Sequence, residues 1–118
     1  MTTVDQFLKA LAVVESHDDP EAWGDGGQAM GRWQVHPARL WQEMHANTIA
    51  PRLGETWDQL VGRTLRAMAM KLWEKYSAVA IAMYWHLGHF CESTAPEWDL
   101  KYAARFGAAL MNAKEEMP

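Results

Sequence analysis

The chain carries a single cysteine, no apolar run long enough to cross a membrane, and no excess of positive charge. Each shortage excludes something. The lone Cys91 rules out an internal disulfide, so packing must hold the fold, and it leaves the redox compartment open. No basic start followed by a long apolar stretch opens the sequence, so neither a signal peptide nor membrane insertion is expected. With 11 Lys and Arg against 15 Asp and Glu, the formal charge of −4 offers no broad basic field for nucleic acid. Arg63, Arg66 and Lys71 are too sparse for a recognition helix. His86 and His89, three apart near a helix end, and Cys91 are the grouping that suggests a metal. A catalytic zinc would want a firmer third ligand and the glutamate of a His-Glu-x-x-His motif, which is missing, so no metal and no cofactor is expected. Internal repeats, low-complexity tracts and linkers are also lacking.

What is there describes one globular domain, 1–118, large enough to bury roughly two thirds of its unfolded surface. Nearly half the residues are apolar, with seven Trp and eight Met, which excludes a disordered chain. Thr3 with Gln6 forms a capping box for a helix over Val4 to Ser16, with Phe7, Leu8, Leu11 and Val14 on its buried face. Asp18 to Gly31 holds a proline, four glycines and several acids, which suits turns or a small hairpin with its corner at Asp25-Gly26-Gly27. Pro37 opens a helix with Leu40, Trp41 and Met44 that ends before Pro51. Thr56 caps the next, which buries Trp57, Leu60, Val61, Leu65, Met68 and Leu72 and stops or bends around Lys75 and Tyr76. Ser77 to Leu87 is apolar almost all round and belongs at the centre of the domain, and Gly88 ends it. Trp98, Tyr102, Phe106, Ala109 and Leu110 mark a last amphipathic helix, with Asn112 to Pro118 expected to fray. The fold class is all-α, with at most a short β-hairpin after the first helix.

The functional signal is concentrated between Glu15 and Pro37. Glycosidic cleavage needs a proton donor held against an apolar wall, and Glu15 follows the run Leu11, Ala12, Val13, Val14. A tight loop with Asp18, Asp19, Asp25 and Gln34 faces it, and Trp23 and Trp33 are the candidates for stacking on sugars. The plainer alternative is a solvent-facing glutamate at a helix end followed by ordinary turn residues.

The segment resembles the catalytic motif of the lysozyme-like superfamily, in its lytic transglycosylase and phage muramidase branches. Glu15-Ser16 matches the Glu-Ser pair, Asp19-Pro20 and Ala22 the intervening loop, and Gly31-Arg32-Trp33-Gln34-Val35 the glycine-to-glutamine element, with Pro37 close behind. Trp85-His86-Leu87-Gly88 is similar to the aromatic-Asn-x-Gly element that lines the cleft from a later helix, with His86 where Asn is usual and Trp85 where Tyr is usual. The resemblance implies a lysozyme-like fold and cleavage of the β-1,4 bond next to N-acetylmuramic acid in bacterial peptidoglycan, with Glu15 as general acid. Gln34 would bond an acetamido group or orient Glu15, and Trp23, Trp33, Tyr84, Trp85 and His86 would line the sugar subsites, though in so apolar a helix at least one of Tyr84 and Trp85 belongs to the core.

The outcome turns on a second carboxylate. If Asp25 reaches across, it holds water or stabilises the cationic sugar and the enzyme is a hydrolase, the reading that Gly24-Asp25-Gly26-Gly27 favours. Without it, a lytic transglycosylase forms 1,6-anhydro sugar, the reading that the Gly-x-x-Gln element favours. Asp18 and Asp19, beside the helix end, are the poorer second acids. A different class remains open: a catalytically silent wall-binding or structural protein, such as a virion component, to which the acidic charge and the substituted second motif point. The negative charge also means that capture of an anionic wall must rest on the cleft itself. A monomer is expected, residing in the host bacterial cytoplasm until a separate holin-type pore releases it to the wall, or carried with a virion.

Overall fold

The computed structural model describes all residues, Met1–Pro118, as five helices with one small hairpin inserted after the first. Helix α1 spans Val4–Ser16, α2 Pro37–Ala46, α3 Trp57–Leu72, α4 Ala78–Leu87 and α5 Leu100–Glu116. The hairpin pairs β1, Trp23–Gly24, antiparallel with β2, Ala29–Met30, in the register Trp23 to Met30 and Gly24 to Ala29.

Local chemistry explains most boundaries. Thr3 and Gln6 form a reciprocal capping box at the start of α1, and Thr56 and Gln59 form another at α3, each satisfying two otherwise orphaned N–H groups. Pro37 takes the first turn of α2, where no N–H is required. Ser77 caps α4 through the Ala80 N–H, and Asp99 caps α5 through the Tyr102 N–H. The hairpin corner is a 3-10 turn over Asp25–Gly27, where Gly26 and Gly27 supply the positive φ angles of 64° and 91°.

The core is organised by α1 against α5. Phe7 meets Phe106 edge-on at 5.6 Å and Trp73 at 5.7 Å, with Leu11, Leu65, Ile81 and Tyr102 packed around them. Helix α4 is apolar almost all round, but not every side of it is buried: Ile81, Ala82, Met83 and Trp85 are buried, whereas Ala78, Val79 and Leu87 are half-buried against the core. The C-terminal residues also differ from expectation. Helix α5 continues to Glu116 with Ala113 buried, and the Gln6 side chain donates to the Met117 carbonyl at 2.6 Å. The end of the chain is tied to the start of α1, because a polar composition does not fray once its backbone has a partner.

Candidate active site

Glu15 lies on the last turn of α1, seven residues after Leu8 and four after Leu11, so helical periodicity carries it along the same buried stripe. Beyond Ser16 the chain reverses: His17 and Asp18 take left-handed angles, and their N–H groups close on the carbonyls of Val13 and Ala12. Ser16 pins the returning loop. Its hydroxyl donates to the Arg32 carbonyl at 2.6 Å and accepts from the Asp19 N–H at 3.0 Å. Asp18 is held at 2.6 Å from Lys9 and 2.7 Å from Arg32, which fixes the loop to α1 and takes Asp18 out of contention as a second acid.

These anchors open a cleft of about 450 Å3 at the end of α1. Its walls are Glu15, Asp25 and Gln34 from the first helix and loop, Arg39 from α2, and Trp85 and His86 from α4. The residue Glu15 is half-buried. Desolvation raises its carboxyl above the usual range, and the negative charge of Asp25 pushes in the same direction. Opposing this are a hydrogen bond from the Tyr102 hydroxyl to Glu15 Oε1 at 2.9 Å and the positive charges of His86 and Arg105. Burial and the neighbouring Glu15 in turn raise the Tyr102 phenol far above its ordinary range, so it is a donor at every working pH. A carboxyl at the C-terminal end of a helix also faces the negative end of the dipole, which disfavours ionisation further.

Asp25 occupies the hairpin corner with a positive φ of 50°, its side chain 70% exposed and 2.8 Å from His36 Nε2. It lines the same cleft as Glu15. Gln34, also at positive φ, turns its amide nitrogen to the Gly31 carbonyl at 2.9 Å. Its Oε1 occupies the space a side chain at Gly24 would need, so Gly24 leaves room for an acceptor facing the cleft. The amide makes no bond to Glu15 and so does not orient it.

Two aromatic expectations are corrected. Trp33 is only 8% exposed and donates its indole N–H to the Leu8 carbonyl at 3.0 Å, its ring lying against Gly62 of α3. It is a core residue, because the turn after Gly31 folds the ring inward where it buries far more apolar area. Tyr84 stays outside the cleft: its hydroxyl donates to Glu43 Oε1 at 2.6 Å and its ring stacks on Phe90 at 4.2 Å. Trp85 lines the cleft but is 7% exposed, with the Arg39 guanidinium 4.8 Å from its ring centre. Trp23 on β1 is 64% exposed, beside the cleft and not among its walls. His86 faces Asp99 at 3.1 Å and stacks on Tyr102, and with His89 and Cys91 it makes no three-ligand metal cluster.

Tyr102 is the site residue that the sequence hides. Its place in the Trp98, Tyr102, Phe106 stripe marks it as core, which it is, but the bond from its hydroxyl to Glu15 has no local signal. Since that bond favours the ionised carboxylate, Tyr102→Phe is expected to raise the titration midpoint of Glu15, followed by carbon-13 NMR of the carboxyl. An unchanged or lower midpoint would show that the hydroxyl does not serve Glu15.

A larger groove, about 830 Å3, runs between α1 and α3. Its carboxylates are each met by a cation: Asp5 by Arg66, Asp18 by Lys9 and Arg32, Asp58 by Arg32, and Glu55 by Arg63. The Arg63 bond holds Glu55 down at about 2. Such pairs keep charge in place, whereas the carboxyl with the raised pKa, Glu15, lies in the smaller cleft. No family model matches this chain, and no curated protein or solved structure matches it.

Proposed function

We propose that this protein is a lysozyme-like glycosidase that cleaves the β-1,4 bond next to N-acetylmuramic acid in peptidoglycan, with Glu15 as the general acid. The observation that carries the reading is the Glu15 carboxyl itself: at a helix end, in an open cleft, with its pKa raised by burial and its geometry fixed by Tyr102. Such a group keeps its proton to a higher pH than a solvated glutamate does and can give it to a leaving glycosidic oxygen. The resemblance of Glu15-Ser16 and Gly31 to Gln34 to the superfamily motif supplies the substrate class. In hydrolysis the glycosidic oxygen takes the Glu15 proton, the sugar cation is met by water, and Asp25 stabilises that cation or accepts the water's proton. The exposed Asp25 carboxylate on the same cleft suits that role.

The His36–Asp25 pair favours a second reading, a lytic transglycosylase. A carboxylate already engaged by His36 leaves the substrate's own hydroxyl as nucleophile, and Glu15 serves as acid and then base. Asp25→Asn separates the two. Hydrolysis predicts a rate loss of about a hundredfold, the scale for a positioned catalytic group, and products ending in free N-acetylmuramic acid. Mass spectrometry that finds products lighter by one water, with near-normal rate for Asp25→Asn, would establish the transglycosylase instead. Purified protein that leaves peptidoglycan turbidity untouched would remove both and return the chain to a silent wall-binding or virion role.

A further inference from the structure

Around Glu15 on α1 the charged and titratable groups are Asp25 on the hairpin corner, His86 on α4, and Tyr102 with Arg105 on α5, and the same cleft is walled by His36, paired with Asp25, and Arg39 of α2. His86 is distinctive among them because it is held on two sides and makes no hydrogen bond to Glu15. Its Nε2 meets Asp99 Oδ2 at 3.1 Å, and its ring lies over Tyr102 with centroids 3.9 Å apart and planes within 8°. Asp99 is itself immobilised, since its other oxygen caps α5 by accepting the Tyr102 N–H at 3.0 Å. That bond and His86 together hold the Asp99 carboxyl below its ordinary range, so it remains an anion available to clamp the imidazole. The Tyr102 ring is therefore fixed by its backbone at one end and by a flat imidazole on its face.

We propose that His86 is a positioning residue for the cleft acid: clamped by Asp99 and stacked flat on Tyr102, it fixes the phenol whose hydroxyl donates to Glu15. A hydrogen bond weakens steeply as its donor swings off axis, so a ring free to rock delivers its hydroxyl less often. The arrangement joins the end of α4 to the start of α5 behind the acid, and supports it in the way outer residues orient the ligands of a metal. On this account His86 acts on Glu15 through Tyr102, and its charge is the lesser part. The proposal rests on Glu15 as the proton donor, but its main test needs no substrate.

The test is a double-mutant cycle on the Glu15 titration midpoint, read by carbon-13 NMR in the full chain with His86→Ala, Tyr102→Phe and the pair. His86→Ala is expected to raise the midpoint by at least half as much as Tyr102→Phe does. Added to Tyr102→Phe, the same change is expected to give less than half of its own single effect, because the donor it positions is already gone. A shift of half or more in that background means that His86 works as a charge through space, and no shift with Tyr102 present means that it is packing alone. Either result overturns the proposal. If His86→Ala does not fold, His86→Asn, which also removes the ring, replaces it throughout the cycle. On glycan, His86→Ala should lower kcat. A protein that cleaves no glycan would sink the glycosidase reading and leave the titration result standing.

Discussion

Glu15→Gln is expected to abolish wall cleavage, by a hundredfold or more on the order of a lost general acid, and at the same time to raise the melting temperature at pH 7. Both effects have one origin. The amide keeps the shape of the carboxyl and still meets the Tyr102 hydroxyl, but it has no proton to give. The stability change follows from linkage. Burial raises the folded-state pKa of Glu15 above its ordinary 4.5, so the native state holds a proton that the unfolded chain has released. Below 4.5 both states are neutral, and parent and variant should melt alike. From 4.5 upward the unfolded chain ionises before the native state does, so the parent loses stability relative to the amide until the pH passes the folded value, above which the gap stays constant in favour of the variant. Turbidity loss of purified peptidoglycan measures the first effect, and melting curves across pH 3 to 8 measure the second. Activity within threefold of the parent would take Glu15 out of the mechanism. A Gln variant less stable than the parent at pH 7 would mean that the carboxylate is well solvated after all. A site acid that destabilises its own fold is the usual stability cost of function.

Ala82→Asp is expected to cost roughly 3–5 kcal/mol, the sum of stranding a carboxylate away from water and overpacking a filled site. Ala82 is 0% exposed at the middle of α4, beside the equally buried Ile81 and Met83. Domains of this kind have about 5–15 kcal/mol to lose, so the variant should melt more than about 10 °C lower or fail to fold. The control is Ala104→Asp, the same chemical change at an exposed position of α5, where about 0.5 kcal/mol or less is expected. Equal melting of the two variants by circular dichroism would show that α4 does not occupy the core, and the placement of Trp85 and His86 on the cleft would fail with it.

What could be read from the sequence was what short-range chemistry decides. The Thr3–Gln6 and Thr56 caps, Pro37, the Asp25-Gly26-Gly27 corner and the Gly88 stop each rest on a few neighbouring residues, and each lies where those residues require. Glu15 at a helix end facing a glycine-rich loop was legible for the same reason. Long-range partners were not. A tryptophan in a loop reads as exposed, yet Trp33 turns inward where Gly62 leaves α3 without a side chain, and that glycine inside an amphipathic helix is the signal that something packs there. Tyr84 and Tyr102 are indistinguishable by periodicity, and only the meeting of separate helices sends one hydroxyl to Glu43 and the other to Glu15. The polar tail is ordered by a partner that composition does not reveal, the Gln6 amide that donates to the Met117 carbonyl.

The bond between Tyr102 and Glu15 joins residues 87 positions apart, on the last helix and the first. Closing so long a loop is slow compared with forming local helix contacts, and α1, at 13 residues, is too short to hold its shape well in isolation. During synthesis Glu15 therefore emerges early and spends most of that time as an ordinary hydrated carboxylate. Its pKa rises through burial, which is complete only when α5 docks and closes the back of the cleft, and the Tyr102 hydroxyl that comes with α5 then holds part of that rise back. The ribosome delivers last the helix that encloses Glu15, and a nascent chain halted before Leu100 carries that carboxyl without the burial that sets it apart from any other glutamate.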